Sequence, residues 1–232
     1  MSDGIIIRNA KESDIEFIID SIINAEKSGT DRIITCGVFS ISESEFRVIL
    51  REIVLNGIQD YEYSLDGFIV AEFEGRPIGA MVSWIEEHSG FSSAILKANV
   101  FIPYIKQEKK EDISHTLQLM KNYGIRRTPN TIQIEFFYVL NEFRGRRIIS
   151  QLITHAINKL LSVDDKINRV EVVLMKDNIS SFNVLKRMGF EICTEVVITE
   201  EKILEIFPSN IKIQMCIEGE KLKNLLEKNK EE

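Results

Sequence analysis

The segment that most restricts the fold is residues 136–152, FFYVLNEFRGRRIISQL. An apolar β-type run ends at Val139, a short polar turn covers residues 140–143, and Arg144-Gly145-Arg146-Arg147 opens directly into a helical pattern. That pattern carries Ile148, Ile149, Leu152, Ile153, Ala156, Ile157 and Leu160. A strand that runs through a turn into a helix is suited to holding phosphate. The first helical N–H groups have no intrahelical partner, and the helix dipole is positive at that end. Arginines at the turn add charge and forked donors that match phosphate oxygens. The expected ligand therefore carries a phosphate or pyrophosphate.

The elements around this segment read as a mixed α/β chain. Residues 5–8 form a short β-branched run. Ser13 to Glu16 has the spacing of a capping box, followed by a helix with Ile15, Ile18, Ile19, Ile22 and Ile23 on one face. Ser28-Gly29-Thr30 breaks that helix. Ser42 and Glu45 repeat the capping pattern ahead of Phe46, Ile49, Leu50, Ile53 and Val54, and Asn56-Gly57 ends the second helix. Residues 68–73 and 78–84 alternate around the turn Glu74-Gly75-Arg76-Pro77, which predicts an antiparallel hairpin. Residues 86–130 are less regular, with helix-like pieces near 91–105 and 111–123, and read as a helical insertion over one face of the sheet. Further strands are expected at 132–139, 169–175, 190–199 and 211–217, with a short helix over 179–188 ended by Gly189. The economical organisation is one domain over residues 1–217, with the insertion at about 87–130, and a charged, helical tail at 218–232 that frays at its end.

Charge and cysteine usage narrow the class. A net charge of −7 disfavours nucleic acid as a partner. Three well-separated cysteines, Cys36, Cys193 and Cys216, are expected as reduced thiols of a cytoplasmic protein. The scattered His88, His115 and His155 give no metal-ligand spacing, so no metal is expected. No apolar run reaches the length of a membrane span, and the N-terminus does not read as a signal peptide.

Two motifs in this order resemble the GNAT superfamily of N-acetyltransferases. The first runs from Ile134-Glu135 through Val139 to Asn141-Glu142-Phe143-Arg144-Gly145-Arg146. It is similar to that family's strand with an acidic residue, then Val, then an Arg-Gly turn. The second, from Asn178 through Leu185 to Gly189-Phe190, resembles the family's Asn, short helix and Gly-Phe. Glu74-Gly75-Arg76-Pro77-Ile78-Gly79 resembles its hairpin turn. The resemblance spans residues 4–217 apart from 86–130. It implies a GNAT fold, with a mixed, mostly antiparallel sheet whose two central parallel strands, 132–139 and 169–175, splay apart.

The resemblance further implies an acetyl-CoA-dependent N-acetyltransferase acting on an amine of a small molecule or peptide, by direct attack in a ternary complex. The arm of acetyl-CoA would lie in the splay, satisfying backbone groups near Val139 that are costly to bury unpaired. The backbone N–H groups from Arg144 through Arg147 and Ile148 to Ile149 would hold the pyrophosphate. The Val139 N–H would take the oxyanion. Glu135, four residues before Val139 and so sharing a face with Phe137 and Val139 on a regular strand, is the candidate general base; otherwise it pairs with a Lys or Arg of a neighbouring strand or faces solvent. Asn178 contacts the CoA arm or merely caps the following helix. Glu86 and Glu87 are candidates to hold a cationic acceptor, Tyr138 either lines the acyl pocket or, the favoured reading, belongs to the core, and Trp84 is read as a packing residue. The first two helices and the insertion would shape the acceptor pocket. Some relatives of this kind form homodimers through sheet edges or exchanged C-terminal strands, and the long connection at 200–210 permits this.

Three positions depart from the pattern. Arg147 and Ile149 stand where glycine is usual, and Leu185 replaces a tyrosine that serves as general acid for the leaving thiolate. They motivate two other readings: a non-catalytic CoA or acyl-CoA sensor or interaction module, and a structural protein that no longer binds CoA.

Overall fold

The computed structural model describes residues 4–228. In chain order the elements are β1 (Ile5–Asn9), α1 (Ile15–Lys27), α2 (Ile34–Phe39), α3 (Glu43–Val54), β2 (Phe68–Phe73), β3 (Arg76–Ile85), α4 (Ser93–Phe101) and α5 (Lys110–Lys121). There follow β4 (Ile132–Val139), α6 (Ile148–Leu161), β5 (Arg169–Met175), α7 (Ile179–Arg187), β6 (Glu191–Val197), α8 (Glu201–Ile206), β7 (Ile211–Glu218) and α9 (Gly219–Lys228). The strands form one open sheet in the order β1-β2-β3-β4-β5-β7-β6. Every neighbouring pair is antiparallel except β4 and β5, which are parallel. This is the mostly antiparallel, helix-flanked sheet expected from the sequence.

Burial follows the two periodicities. The isoleucine stripe of α1 and the apolar stripe of α3 pack with Phe68, Val82, Trp84 and Phe101 on one face of the sheet. Ile148, Leu152, Ile153, Ala156 and Ile157 of α6 pack on the other, with Leu185 and Leu222. The alternation of side chains along each strand feeds both cores from one sheet. Within the insertion, α4 joins the α1 and α3 face, while α5 packs with α2 and α8.

Glu171 ties the centre of the sheet together. It is fully buried on β5 and accepts from Thr128 N–H (3.0 Å) and Oγ1 (2.6 Å), Gln133 Nε2 (2.8 Å), Arg169 Nε (2.7 Å) and Gln214 Nε2 (3.0 Å). Donors from β4, β5, β7 and the loop before β4 converge on one carboxylate. This satisfies a charge that would otherwise be prohibitive to bury.

The second capping box is present: Ser42 Oγ accepts from Glu45 N–H at 3.2 Å, and Glu45 accepts from Ser42 N–H at 2.8 Å. The first is not. Arg8 of β1 pairs with the buried Asp14 at 2.6 Å, and Lys11 N–H donates to the same carboxylate at 2.9 Å. These contacts tighten residues 12–14 into a 3-10 turn and start α1 at Ile15, leaving Ser13 without a capping role. Gly189 ends α7 as expected, at φ +95°, with Phe190 N–H reaching back to Leu185 C=O at 3.0 Å.

The expectation of three reduced thiols is corrected. Cys193 and Cys216 are joined in a disulfide between β6 and β7, with Cα atoms 6.1 Å apart. A register shift between Ile192 and Thr194 places Cys193 beside Cys216, a tertiary pairing that their separation in sequence does not reveal. Cys36 remains free, and burial, with Glu26 and Glu43 nearby, pushes its thiol up to about 12. The predicted tail is helical through Lys228; residues 229–232 lie outside the described residues.

Candidate functional site

β4 and β5 pair over three positions only, Ile132 with Val170, Gln133 with Glu171 and Ile134 with Val172. Both strands continue beyond that point, so they part and leave a wedge-shaped opening. Leu140 N–H donates to Ile78 C=O on β3 at 2.9 Å. By the alternation of an antiparallel ladder, the N–H and C=O of Val139 then point away from β3, into the wedge. The Val139 carbonyl accepts from Arg144 Nε at 3.2 Å. Arg144 thus braces the strand end, and the Val139 N–H is the group left facing the opening.

The turn behind β4 has the shape its sequence implies. Gly145 sits at φ +82° with nothing near its missing side chain, and Arg147 sits at φ +58°, ψ 18°. Arg147 therefore keeps the left-handed conformation that glycine adopts freely, at a cost of about 1 kcal/mol for a residue with Cβ. Ile148 opens α6 and is buried, and Ile149 packs against the same core, so neither disturbs the backbone path. Gln151 N–H bonds to Arg147 C=O at 3.1 Å, so the N–H groups of Ile148, Ile149 and Ser150 precede the first α6 bond. Arg146 lies over the Phe143 ring at 5.1 Å.

Phe136 changes the geometry of β4. Its φ is +52°, and the β3 pairing shifts between Ala80 and Val82. Gly79 faces Val139 and Val82 faces Glu135, so β4 spends four steps where β3 spends three. This is a β-bulge with one extra residue on β4. The expected sharing of a face by Glu135 and Val139 is therefore wrong. Ile134, Phe137 and Val139 join the α6 side, while Phe136 joins the α1 side. Glu135 accompanies Phe136 and forms an ion pair with Arg127, from the loop before β4.

Glu135 belongs to a largely buried charged cluster. Arg127 also donates to Ser93 Oγ at 2.9 Å and lies over the Trp84 ring at 4.9 Å. Lys97 of α4 pairs with the buried Glu62 at 3.2 Å and lies over the Tyr63 ring at 5.2 Å. Glu26, at the end of α1, accepts from Thr35 N–H (2.9 Å) and Thr35 Oγ1 (2.6 Å). Burial raises the Glu135 carboxyl above the usual range; Arg127 opposes this, Glu62 adds to it and Lys97 opposes it. Burial likewise raises Glu26, against Lys97 and Thr35. For Glu62 burial is outweighed by Lys97 and Arg127, which hold it low.

A cavity of about 200 Å³ connects this cluster to the wedge. Glu26, Thr35, Lys97, Glu135, Phe136 and Met175 line one side, and Phe137, Leu174, Asn178 and Ser181 the other. Asn178 caps α7, its side chain accepting from Ser181 N–H at 3.2 Å, and it also lines the cavity. Leu185 points into the core with no exposed surface. Glu86 is taken up by Trp84 Nε1 (2.9 Å), Ser93 N–H (3.0 Å) and Ser93 Oγ (2.7 Å), so it is a structural carboxylate. Tyr138 is half-buried, 6.5 Å from the Phe17 ring.

Several residues of the cavity and of the charged cluster beside it escaped sequence reasoning. Glu26 had a signal: it continues the α1 isoleucine stripe, so a carboxylate stands at a core position. Lys97, Arg127 and Lys212 had none, because their neighbours are fixed by tertiary packing. The helix α2, which brings Thr35 to the cavity, was unrecognised because it is only Ile34–Phe39.

The acetyltransferase (GNAT) family model matches residues 38–190. The fold is similar to that of solved structures. One, described as an acetyltransferase, is 18% identical with a TM-score of 0.59, covering 92% of this chain and 98% of its own. An N-acetyltransferase from Staphylococcus aureus Mu50 is 13% identical with a TM-score of 0.57, covering 91% and 100%. An aminoglycoside acetyltransferase in complex with coenzyme A is 14% identical with a TM-score of 0.53, covering 95% and 98%. No curated protein matches the chain. Among the described residues, no helix is long and apolar enough to cross a membrane.

Proposed function

The chain belongs to the GNAT acetyltransferase family, and on that premise we propose that it transfers an acetyl group from acetyl-CoA to a primary amine by direct attack in a ternary complex. The observation that carries this reading is the parting of β4 and β5 beyond Ile134 and Val172, beside a cavity that contains Glu135. The wedge offers the Val139 N–H to an extended acyl-CoA arm and, at the thioester, to the oxygen on which negative charge develops. The turn from Arg144 to Ile149 holds the pyrophosphate, chiefly through backbone N–H groups at the start of α6. Asn178, at the far wall of the cavity, contacts the arm.

Glu135 is the general base. Burial raises its carboxyl, which suits it to take a proton from an ammonium group, while Arg127 keeps it from becoming a permanently neutral acid. Its side of the sheet is the acceptor side, walled by α1, α2 and α4. Neighbours named for aminoglycosides and agmatine support an amine acceptor.

Calorimetry with acetyl-CoA on the wild type and on Gly145→Glu tests the reading. Binding by the wild type and its loss in the variant are expected, because the variant adds a Cβ at φ +82° and a negative charge beside the phosphates. A thiol-release assay over a panel of amines follows. No binding at millimolar acetyl-CoA would overturn the reading. The burial of Leu185 in the core favours a second reading, CoA binding without catalysis; binding with no turnover of any amine would select it.

A further inference from the structure

We propose that Lys212 donates the proton to the departing CoA sulfur, the part that Leu185 leaves unfilled; this rests on the acetyl-transfer reading above. Lys212 lies on β7 opposite Met175, the last residue of β5, where the wedge is open. It lines the same cavity as Asn178 and Ser181 of α7 and Glu135 of β4. A group there lies across the opening from the base, beyond β5, and projects from the same face of the sheet as Met175 and Phe207. Leu185, by contrast, is fully buried among core residues and offers neither a proton nor room for one.

The surroundings of Lys212 suit a donor. Its ammonium lies 5.5 Å from the centre of the Phe207 ring, and among the described residues it forms no ion pair. Arg127 and Lys97 face it as cations, with Glu135 and Glu26 as the carboxylates of the cavity. Burial, with Arg127 and Lys97, pushes Lys212 down to about 8, with Glu135 opposing. An ordinary thiol titrates at about 8.5. Donor and acceptor are thus nearly matched, the condition under which proton transfer in the transition state is most effective. At neutral pH Lys212 remains mainly protonated, which makes it an acid and not a nucleophile.

The step balances. The acceptor nitrogen forms a bond to the acetyl carbon, the carbon–sulfur bond breaks, and its electron pair leaves on sulfur. A proton passes from Lys212 Nζ to that sulfur. The neutral amine of Lys212 regains a proton from the one shed by the newly acylated nitrogen, through Glu135 or solvent in the cavity.

The test titrates the thiol of bound CoA by its thiolate absorbance, in the wild type and in Lys212→Met, with calorimetry confirming CoA binding in each. An ammonium facing sulfur lowers the bound thiol pKa, by on the order of one unit, and Lys212→Met abolishes that lowering while CoA affinity holds. Equal thiol pKa values in the two proteins, with CoA bound in both, would overturn the proposal. So would intact-mass evidence of an acetyl group retained on Lys212 after exposure to acetyl-CoA. If Lys212→Met does not fold, the wild type serves alone. The ammonium of Lys212, followed by NMR after reductive methylation, titrates higher with CoA at pH values where the thiol is ionised than with desulfo-CoA. An identical titration with the two ligands counts against the proposal. Failure of the wild type to bind CoA at all is a separate outcome, and it would remove the acetyl-transfer reading itself.

Discussion

Arg127 Nη2 donates to Oε1 of Glu135, so the carboxylate on the acceptor side of the sheet has its counter-ion supplied from the loop just ahead of its own strand. As base, Glu135 must be ionised, and Arg127 is the chief influence favouring that state. Removing Arg127 raises the carboxyl further, so the acidic limb of kcat/KM for Arg127→Gln moves to higher pH. Glu135→Gln lowers kcat by roughly 10²-fold or more at every pH, the usual scale for loss of a general base. An acidic limb that stays in place in Arg127→Gln would show that the pair does not control the base.

Glu171 fixes the closed end of the wedge, and its five donors hold its carboxyl below the usual range despite the opposing effect of burial. For a carboxylate with a lowered folded pKa, the stability it contributes is complete above its unfolded value, about 4.3. That contribution is lost as pH falls through the folded value. Glu171→Gln sets an amide donor among donors and costs about 3 kcal/mol near pH 7. Denaturant titrations should show the gap between variant and wild type narrowing at pH 3; a constant gap would mean the charge is immaterial.

Arg147 holds a left-handed conformation at the start of α6. Arg147→Gly relieves about 1 kcal/mol of backbone strain. Acetyl-CoA affinity, carried by backbone donors, stays within about fivefold, the span of one exposed charge contact. Calorimetry checks this: a collapse of binding would mean that the side chain, not the backbone, holds the phosphates.

Leu185 has no exposed surface. Leu185→Tyr, which restores the side chain usual in the family, overfills the core. It lowers stability by about 1–3 kcal/mol, and gives no increase in turnover. A faster enzyme would show that the core opens to bring the hydroxyl to the sulfur.

The Cys193–Cys216 bond closes a segment with a sequence separation of 23. The chain-entropy estimate for such a loop is roughly 3 kcal/mol. A reductant, or the double change to serine, should lower the unfolding midpoint to the same extent. An unchanged midpoint in both would remove the bond from the account of stability.

Much of the fold was readable because periodicity is a local signal. The isoleucines of α1, the stripe of α6 and the hairpin of β2 and β3 each declare their element within a dozen residues. The turn at Gly145 was readable for the same reason. The site itself was only partly so. Val139 ends β4 and Asn178 caps α7, places that local strand and helix signals reach, but the face on which Glu135 sits depends on Phe136 adopting φ +52°, and a phenylalanine does not announce a bulge. Lys97, Arg127 and Lys212 come together from the insertion, a loop and the penultimate strand of the sheet. Their meeting is a product of sheet order, which no local pattern encodes. The Arg8–Asp14 pair shows the converse: a valid local motif at Ser13 gave way to a tertiary partner that bound Asp14 more strongly.

The extra residue at Phe136 gives β4 two separate addresses. Ahead of it, even-numbered positions such as Ile134 look toward α6; after it, odd-numbered positions such as Phe137 and Val139 do. Substitutions that retune the amine chamber can accumulate upstream without touching the side chains that frame the donor channel downstream. A single-residue deletion at the bulge would give β4 one continuous alternation, with Ile134, Phe137 and Val139 still facing α6, and would remove the side chain that Phe136 adds to the chamber.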